Sequence, residues 1–281
     1  MSTGLHMIFS QLRILSITLA VVCCLAPFVA YAEAGAGENM TEVIELGKWT
    51  EVGLTEIMTE SSKLGGAGDR INFISGKFLG TPYAGSTLTG DINTPEVFTI
   101  DLEGMDCFTF IDYVEAMSLS GSFPEFKDTL RKIRYRNGVV TFPNRNHFLS
   151  DWPLYNSEYI KDVTSAIGGE KAVGVSKSLN RKGDGTYYLP GIPVVNRMIY
   201  YIPSSALDTS VLSNLMTGDF VGIYTEKEGL DVSHTGMVIK KNGKAFLRHA
   251  SSKEKNRKVV DEDLSEYMKN KPGLVVYRPV R

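Results

Sequence analysis

An asparagine-glycine pair, Asn242-Gly243, constrains the fold of this chain more than any other sequence feature. It lies between two apolar runs, and Asn-Gly in that setting is typical of a two-residue type I′ turn joining antiparallel strands. Lys241 and Lys244 would then flank the turn and face each other. The pair therefore predicts a β-hairpin with a fixed register.

This register brings two of the four histidines together. Gly236 is predicted to face His249, and His234 projects from the same face because side chains two residues apart on a strand share a face. Diagonal neighbours of this kind lie roughly 7–8 Å apart between Cα atoms, within reach of long side chains. A slip of one residue would place the two histidines on opposite faces.

Helical periodicity dominates the first half of the chain, and strand patterns dominate the end. Helices are predicted over 49–64, 69–79, 107–119 and 126–135, and strands over 97–101, 194–202, 220–224, 234–240, 245–249 and 275–280. Helices followed by strands, without βαβ alternation, predict an α+β fold in which N-terminal helices pack on a mostly antiparallel sheet. Residues 137–196 are predicted to form a long, loop-rich insert.

The N-terminus carries the pattern of a secretory signal peptide over residues 1–32. Arg13 precedes an apolar run that ends at Ala30-Tyr31-Ala32, which is a basic start, a hydrophobic core and a small-residue cleavage site. A membrane anchor is the alternative, but the run is short and is broken by Pro27. We expect export, most simply to the periplasm, without a stable membrane anchor. Residues 33–44 are predicted to be a flexible leader, followed by one domain over 45–281.

The charge balance and the number of cysteines limit which partners and which cysteine chemistry are expected. Lys and Arg total 30 against 32 Asp and Glu, with no basic stripe, so we expect no nucleic-acid partner. Cys23 and Cys24 leave with the signal peptide, which makes Cys107 the only thiol of the exported chain. An exported protein with one cysteine forms no internal disulfide, so this thiol is either a packed side chain or a reactive group.

The position of Cys107 favours a reactive thiol. Asp106 is a good N-cap residue, and Phe108, Ile111 and Val114 follow at helical spacing. The thiol would therefore lie at the positive end of a helix dipole, which favours the thiolate.

Cys107, His234 and His249 together match a nucleophile, a base and an orienting group for covalent catalysis. A catalytic zinc site built from the same three residues is the alternative, because three ligands and an open position suit that metal. Closely spaced paired ligands are missing from the sequence, however. We therefore expect neither a metal nor a cofactor.

Several motifs resemble those of the NlpC-type cysteine peptidases of bacterial cell walls. These motifs are Gly80-Thr81-Pro82-Tyr83, Asp106-Cys107, Gly218-Asp219-Phe220-Val221, Ser233-His234-Thr235-Gly236 and Arg248-His249-Ala250. The resemblance implies a papain-like NlpC-type fold in which a helix-start cysteine faces a histidine and a third polar residue on the sheet.

Within that superfamily the chain is most similar to the N-acetylmuramoyl-L-alanine amidase-like (AmiA-like) branch. Phe108-Thr109-Phe110 follows the cysteine where the broader family has Ser-Gly. The resemblance implies cleavage of the amide between muramic acid and L-alanine in peptidoglycan fragments, the (anhydro)muropeptides. Cleavage between D-glutamate and the diamino acid is the alternative activity, and a non-catalytic cell-wall binding module is the alternative of another class.

Six side chains are predicted to contact substrate: Tyr83, Asp106, Arg145, His147, Asp151 and Trp152. Trp152 could stack on a sugar face and Arg145 could hold a carboxylate. Structural alternatives are simple N-capping by Asp106, an Arg145–Asp151 ion pair, and a Trp152 that anchors the insert.

Overall fold

The structure is a computed structural model, and it describes residues 42–280. The helices are α1 (Glu51–Ser62), α2 (Ala67–Lys77), α3 (Cys107–Ser118), α4 (Phe123–Arg134), α5 (Asp151–Tyr155), α6 (Thr164–Gly168), α7 (Thr209–Asn214) and α8 (Leu264–Met268). The strands are β1 (Glu42–Glu45), β2 (Phe98–Asp101), β3 (Ile160–Asp162), β4 (Val173–Leu179), β5 (Val195–Pro203), β6 (Phe220–Tyr224), β7 (Val232–Lys241), β8 (Lys244–Ala250), β9 (Val259–Asp263) and β10 (Gly273–Pro279).

The main sheet has eight strands. Seven follow the order β4-β5-β10-β6-β7-β8-β9, β3 pairs with β10, and every pairing in this sheet is antiparallel. β1 and β2 form a separate parallel pair. The order of helices and strands and the antiparallel sheet confirm the predicted mixture of helices with an antiparallel sheet.

The hairpin between β7 and β8 has the predicted register. Lys241 pairs with Lys244, and the ladder continues to Met237 opposite Arg248. Asn242 and Gly243 both have positive φ angles, +50° and +76°, as a type I′ turn requires.

Two hydrophobic cores lie on opposite faces of the sheet, because neighbouring residues of a strand point to opposite sides. On β7, Met237 and Ile239 belong to the core formed with α1–α4, whereas Val238 belongs to the second core with α6, α7 and α8. α3 is the central helix of the first core and is buried continuously from Thr109 to Ser118. A helix enclosed in this way holds its first residue at a fixed position against the sheet.

Three parts of the chain differ from the sequence-based expectation. Most of residues 137–196 lie outside α-helices and strands, but this insert also supplies β3, β4, α5 and α6. β4 was missed because only Lys177 and Leu179 of its residues are buried, so its hydrophobic alternation is weak. β9 was also missed, and β1 begins at Glu42, inside the predicted leader.

The predicted signal peptide and most of the predicted leader lie outside the described residues. Over residues 42–280, no helix is long and apolar enough to cross a membrane.

Candidate active site

The first turn of α3 is held by a capping box, and Cys107 is its first residue. Asp106 Oδ1 accepts hydrogen bonds from the backbone N–H groups of Phe108 (3.0 Å) and Thr109 (2.8 Å). The Thr109 hydroxyl in turn accepts from the Asp106 N–H at 3.0 Å. This reciprocal bonding fixes the helix start and confirms the capping role of Asp106.

The start of α3 lies against the strand that carries His234. The Thr235 hydroxyl donates to the Cys107 carbonyl oxygen at 2.7 Å, which ties the cysteine to the residue next to His234. Tyr267 of α8 lies beside both histidines. Its ring lies 6.3 Å from the His234 ring and 5.2 Å from the His249 ring. Burial, then Glu262, then Cys107 raise the pKa of Tyr267 to about 12.

The two histidines are hydrogen-bonded to each other. His234 Nε2 lies 2.6 Å from His249 Nδ1, and the ring planes are nearly perpendicular, at 89°. Gly236 makes this approach possible, because a Cβ there would lie 2.9 Å from the His249 Cβ and 2.8 Å from the Arg248 carbonyl oxygen. On the far side, His249 Nε2 lies 2.9 Å from Glu262 Oε2.

The pKa shifts of Cys107 and His234 both favour the neutral side chain. Burial, followed by the Asp106 charge, raises the pKa of the Cys107 thiol to about 11, although hydrogen bonds from Thr235 oppose this. Burial, followed by the charges of His249 and two lysines, lowers the pKa of His234 to about 3. The sequence-based expectation of a resting thiolate is therefore wrong, because burial at this helix start outweighs the helix dipole. A neutral imidazole is in the form that can accept the thiol proton.

Tyr83 lies near enough to Cys107 for the charge of the sulfur to affect its hydroxyl, and its contact with substrate stays a prediction. Its backbone N–H donates to the Arg257 carbonyl oxygen at 2.9 Å, and the Arg257 guanidinium lies over its ring at 5.3 Å. Burial raises the pKa of the Tyr83 hydroxyl, and the nearby Cys107 and Asp106 raise it further. The hydroxyl is therefore protonated at neutral pH and can donate a hydrogen bond.

Residues 42–280 contain no cluster of ligands for the alternative zinc site. No group of three His, Cys, Asp or Glu side chains among them could hold a metal ion. His249 instead directs its two ring nitrogens to His234 and to Glu262.

Comparison with known families identifies the chain. The sequence pattern of the family described as "AmiA-like: N-acetylmuramoyl-L-alanine amidase-like" matches residues 73–274. The chain belongs to this amidase-like family. The matched range includes Cys107, His234, His249 and Glu262, so the whole cluster lies within the part that defines the AmiA-like family. Among curated proteins the sequence has no significant match.

Solved structures agree with this membership. A Legionella pneumophila protein of the DUF1460 family is 25% identical, with a TM-score of 0.70 over 82% of this chain and 94% of that chain. An N-acetylmuramoyl-L-alanine amidase from Bacteroides uniformis is 28% identical, with a TM-score of 0.66 over 77% of this chain and 100% of that chain. A candidate xylanase from Bacteroides fragilis is 29% identical, with a TM-score of 0.59 over 73% of this chain and 98% of that chain.

Two of the predicted substrate contacts in this amidase-like chain are interior residues. Trp152 is fully buried, and its ring packs edge-on against Phe108 (6.1 Å) and Phe220 (5.2 Å). Asp151 is also buried and pairs with Arg197 at 2.7 Å. The prediction that they contact substrate is corrected, because both side chains are enclosed by protein atoms and serve to anchor the insert.

Arg145 and His147 also have internal partners. Arg145 pairs with Glu96, not with Asp151 as the structural alternative supposed. His147 Nε2 lies 2.8 Å from the Phe142 carbonyl oxygen, where only an N–H can bond, and burial lowers the pKa of His147. The structure thus ties both side chains to neighbouring loops, and their substrate role stays a prediction.

Sequence reasoning missed Glu262, Thr235 and Tyr267. Glu262 lies on β9, where His249 pairs with Val260, so Glu262 shares the face of His249. The segment Val259-Val260-Asp261-Glu262-Asp263 has no apolar–polar alternation, so it carries no strand signal that would have revealed Glu262. Tyr267 lies on the short α8, which carried no separate sequence signal.

Proposed function

We propose that this protein is an exported cysteine amidase that hydrolyses peptidoglycan fragments at the N-acetylmuramoyl-L-alanine amide bond. One observation carries the proposal: His234 and His249 are hydrogen-bonded to each other, and Thr235, the residue after His234, is bonded to the helix-start Cys107, in a chain of the amidase-like family. The order of cysteine, strand histidine and second strand histidine also supports a papain-like NlpC-type fold. Export to the periplasm is proposed from the N-terminal sequence alone.

In the proposed reaction, Cys107 attacks the lactyl carbonyl carbon of the muramic acid. His234 Nδ1 takes the thiol proton as the sulfur–carbon bond forms, since Nε2 is engaged by His249. The backbone N–H of Cys107 stabilises the oxyanion, because the next two N–H groups of α3 are bonded to the Asp106 carboxylate. The carbon–nitrogen bond then breaks, and His234 gives its proton to the departing L-alanine nitrogen.

Water completes the cycle. His234 removes a proton from a water molecule whose oxygen attacks the thioester carbonyl. The carbon–sulfur bond breaks, the muramic acid carboxyl is released, and the proton returns to the Cys107 sulfur. The Tyr83 hydroxyl, which is protonated at neutral pH, donates a hydrogen bond near the scissile amide.

Product analysis tests the bond that is cut. A purified disaccharide-tripeptide is incubated with the protein, and the products are identified by mass spectrometry. We expect free disaccharide and an intact stem peptide that begins with L-alanine. A disaccharide that still carries L-Ala-D-Glu would replace this activity with cleavage between D-glutamate and the diamino acid.

A binding assay separates the enzyme from a binding module. The non-catalytic alternative predicts that the parent protein and Cys107→Ala bind the fragment equally well. It also predicts that the parent forms neither the products of the amidase nor those of the D-glutamyl-diamino acid endopeptidase. Peptide release by the parent alone supports the amidase. The alanine variant is the matched control because it changes only the sulfur atom and its hydrogen.

A further inference from the structure

We infer that Glu262 is a positioning residue that fixes the tautomers of both histidines and thereby leaves His234 Nδ1 as an unprotonated base. The inference rests on the proposed function and deepens it. It follows from three side chains in one line: Glu262 Oε2 lies 2.9 Å from His249 Nε2, and His249 Nδ1 lies 2.6 Å from His234 Nε2.

The tautomers follow from what each group can donate. An ionised carboxylate only accepts hydrogen bonds, so the hydrogen of His249 must be on Nε2. A neutral His249 then has a bare Nδ1 that accepts, and the facing His234 Nε2 must donate. The single ring hydrogen of neutral His234 is thus used on Nε2. Its Nδ1 keeps the lone pair that the mechanism needs.

The charge states required by this argument agree with the surroundings. Burial raises the pKa of Glu262, but hydrogen bonds from His249 and Lys253 outweigh it and leave the pKa below its ordinary value. Burial lowers the pKa of His249 more than Glu262 raises it. Lys253 Nζ lies 3.3 Å and Lys255 Nζ lies 3.6 Å from the Glu262 carboxylate. These two exposed ammonium groups stabilise its negative charge.

Without the Glu262 carboxylate, the two histidines could adopt the opposite pair of tautomers. His249 could then carry its hydrogen on Nδ1 and donate to His234 Nε2, which forces the His234 hydrogen onto Nδ1. A proton would occupy the position that must accept one from Cys107. The comparable loss of a tautomer-fixing carboxylate is severe in serine proteases. Here Glu262 acts one imidazole further from the base, so a smaller effect is expected.

Nitrogen NMR of the resting protein reads the tautomers directly. In the ¹⁵N-histidine-labelled parent we expect both His234 and His249 as Nε2–H tautomers. In Glu262→Ala we expect signals of the Nδ1–H form to appear for both residues. A parent with Nδ1–H on His234, or tautomers unchanged by the substitution, overturns the inference. This readout needs no activity, so it separates failure of the inference from failure of the proposed amidase reaction.

A double-mutant cycle tests the route through His249. We expect Glu262→Ala to lower kcat/KM by about 10–100-fold, the range found for residues that orient metal-binding histidines through a hydrogen bond. In a His249→Asn background, the asparagine carbonyl can accept directly from His234 Nε2–H, and Glu262→Ala should change kcat/KM less than about 2-fold. Equal losses in both backgrounds would show that Glu262 acts by another route and overturn the inference.

Two further variants exclude a purely structural or general charge effect. Glu262→Gln keeps an acceptor for His249 Nε2–H and should retain more activity than Glu262→Ala. Glu266→Ala removes an exposed acid that pairs with Lys269 and does not contact His249, so its activity and its NMR tautomers should match the parent. A loss in Glu266→Ala equal to that in Glu262→Ala would assign the effect to net charge and contradict the positioning role.

Discussion

Replacing Cys107 with alanine is expected to lower the rate of muropeptide hydrolysis by at least about 10⁴-fold, the scale seen when an enzyme loses its nucleophile. The nearby hydroxyls do not replace the thiol, because those of Tyr83 and Tyr267 have raised pKa values and that of Thr235 is bonded to the Cys107 carbonyl oxygen. The rate of stem-peptide release measures the effect.

The fold should survive this substitution. Asp106 caps α3 through Phe108 and Thr109, and neither bond uses the Cys107 side chain. An unchanged circular dichroism spectrum and melting temperature provide the control, and Cys107→Ser provides a variant of nearly the same size. Retention of more than a tenth of the parent rate in a folded Cys107→Ala protein would rule out the thiol as nucleophile.

Trp152→Ala is expected to lower the free energy of unfolding by about 3–5 kcal/mol, as for other large buried aromatic side chains. The ring lies between Phe108 at the start of α3 and Phe220 of β6, so its removal leaves a cavity where the insert meets the first core. Chemical denaturation of both proteins measures the difference.

Trp49→Ala is the matched control, since Trp49 is the only other tryptophan. It is partly exposed and packs on Phe78 at 5.5 Å, so a smaller loss of stability is expected. The KM of the folded Trp152→Ala protein should equal the parent KM, because the ring is fully buried and cannot contact substrate. A raised KM without loss of stability would restore the substrate-stacking role.

The sequence was most informative where local geometry decides the structure. Asn242-Gly243 requires two positive φ angles, and this fixed a hairpin register that brought His234 and His249 together. Asp106 likewise predicted the start of α3 correctly. Both are short-range rules, so they hold without knowledge of the rest of the fold.

Predictions failed where long-range packing decides the outcome. Trp152 has the residue type of a sugar-binding ring, and only the packing of the insert shows that it is enclosed. The pKa of Cys107 depends on burial that a helix-start position does not reveal. Glu262 reaches His249 because β9 pairs with β8, and the sequence of β9 has no apolar–polar alternation that would mark it as a strand.

The most direct test of the proposed chemistry is the mass of the intact protein, quenched in acid during turnover of a disaccharide-tripeptide. Cleavage at the N-acetylmuramoyl-L-alanine amide predicts an adduct on Cys107 with the mass of the disaccharide acyl group, without any amino acid. An adduct that also contains L-Ala-D-Glu would contradict the bond assignment. Turnover that proceeds unchanged after alkylation of Cys107 would contradict the cysteine mechanism itself.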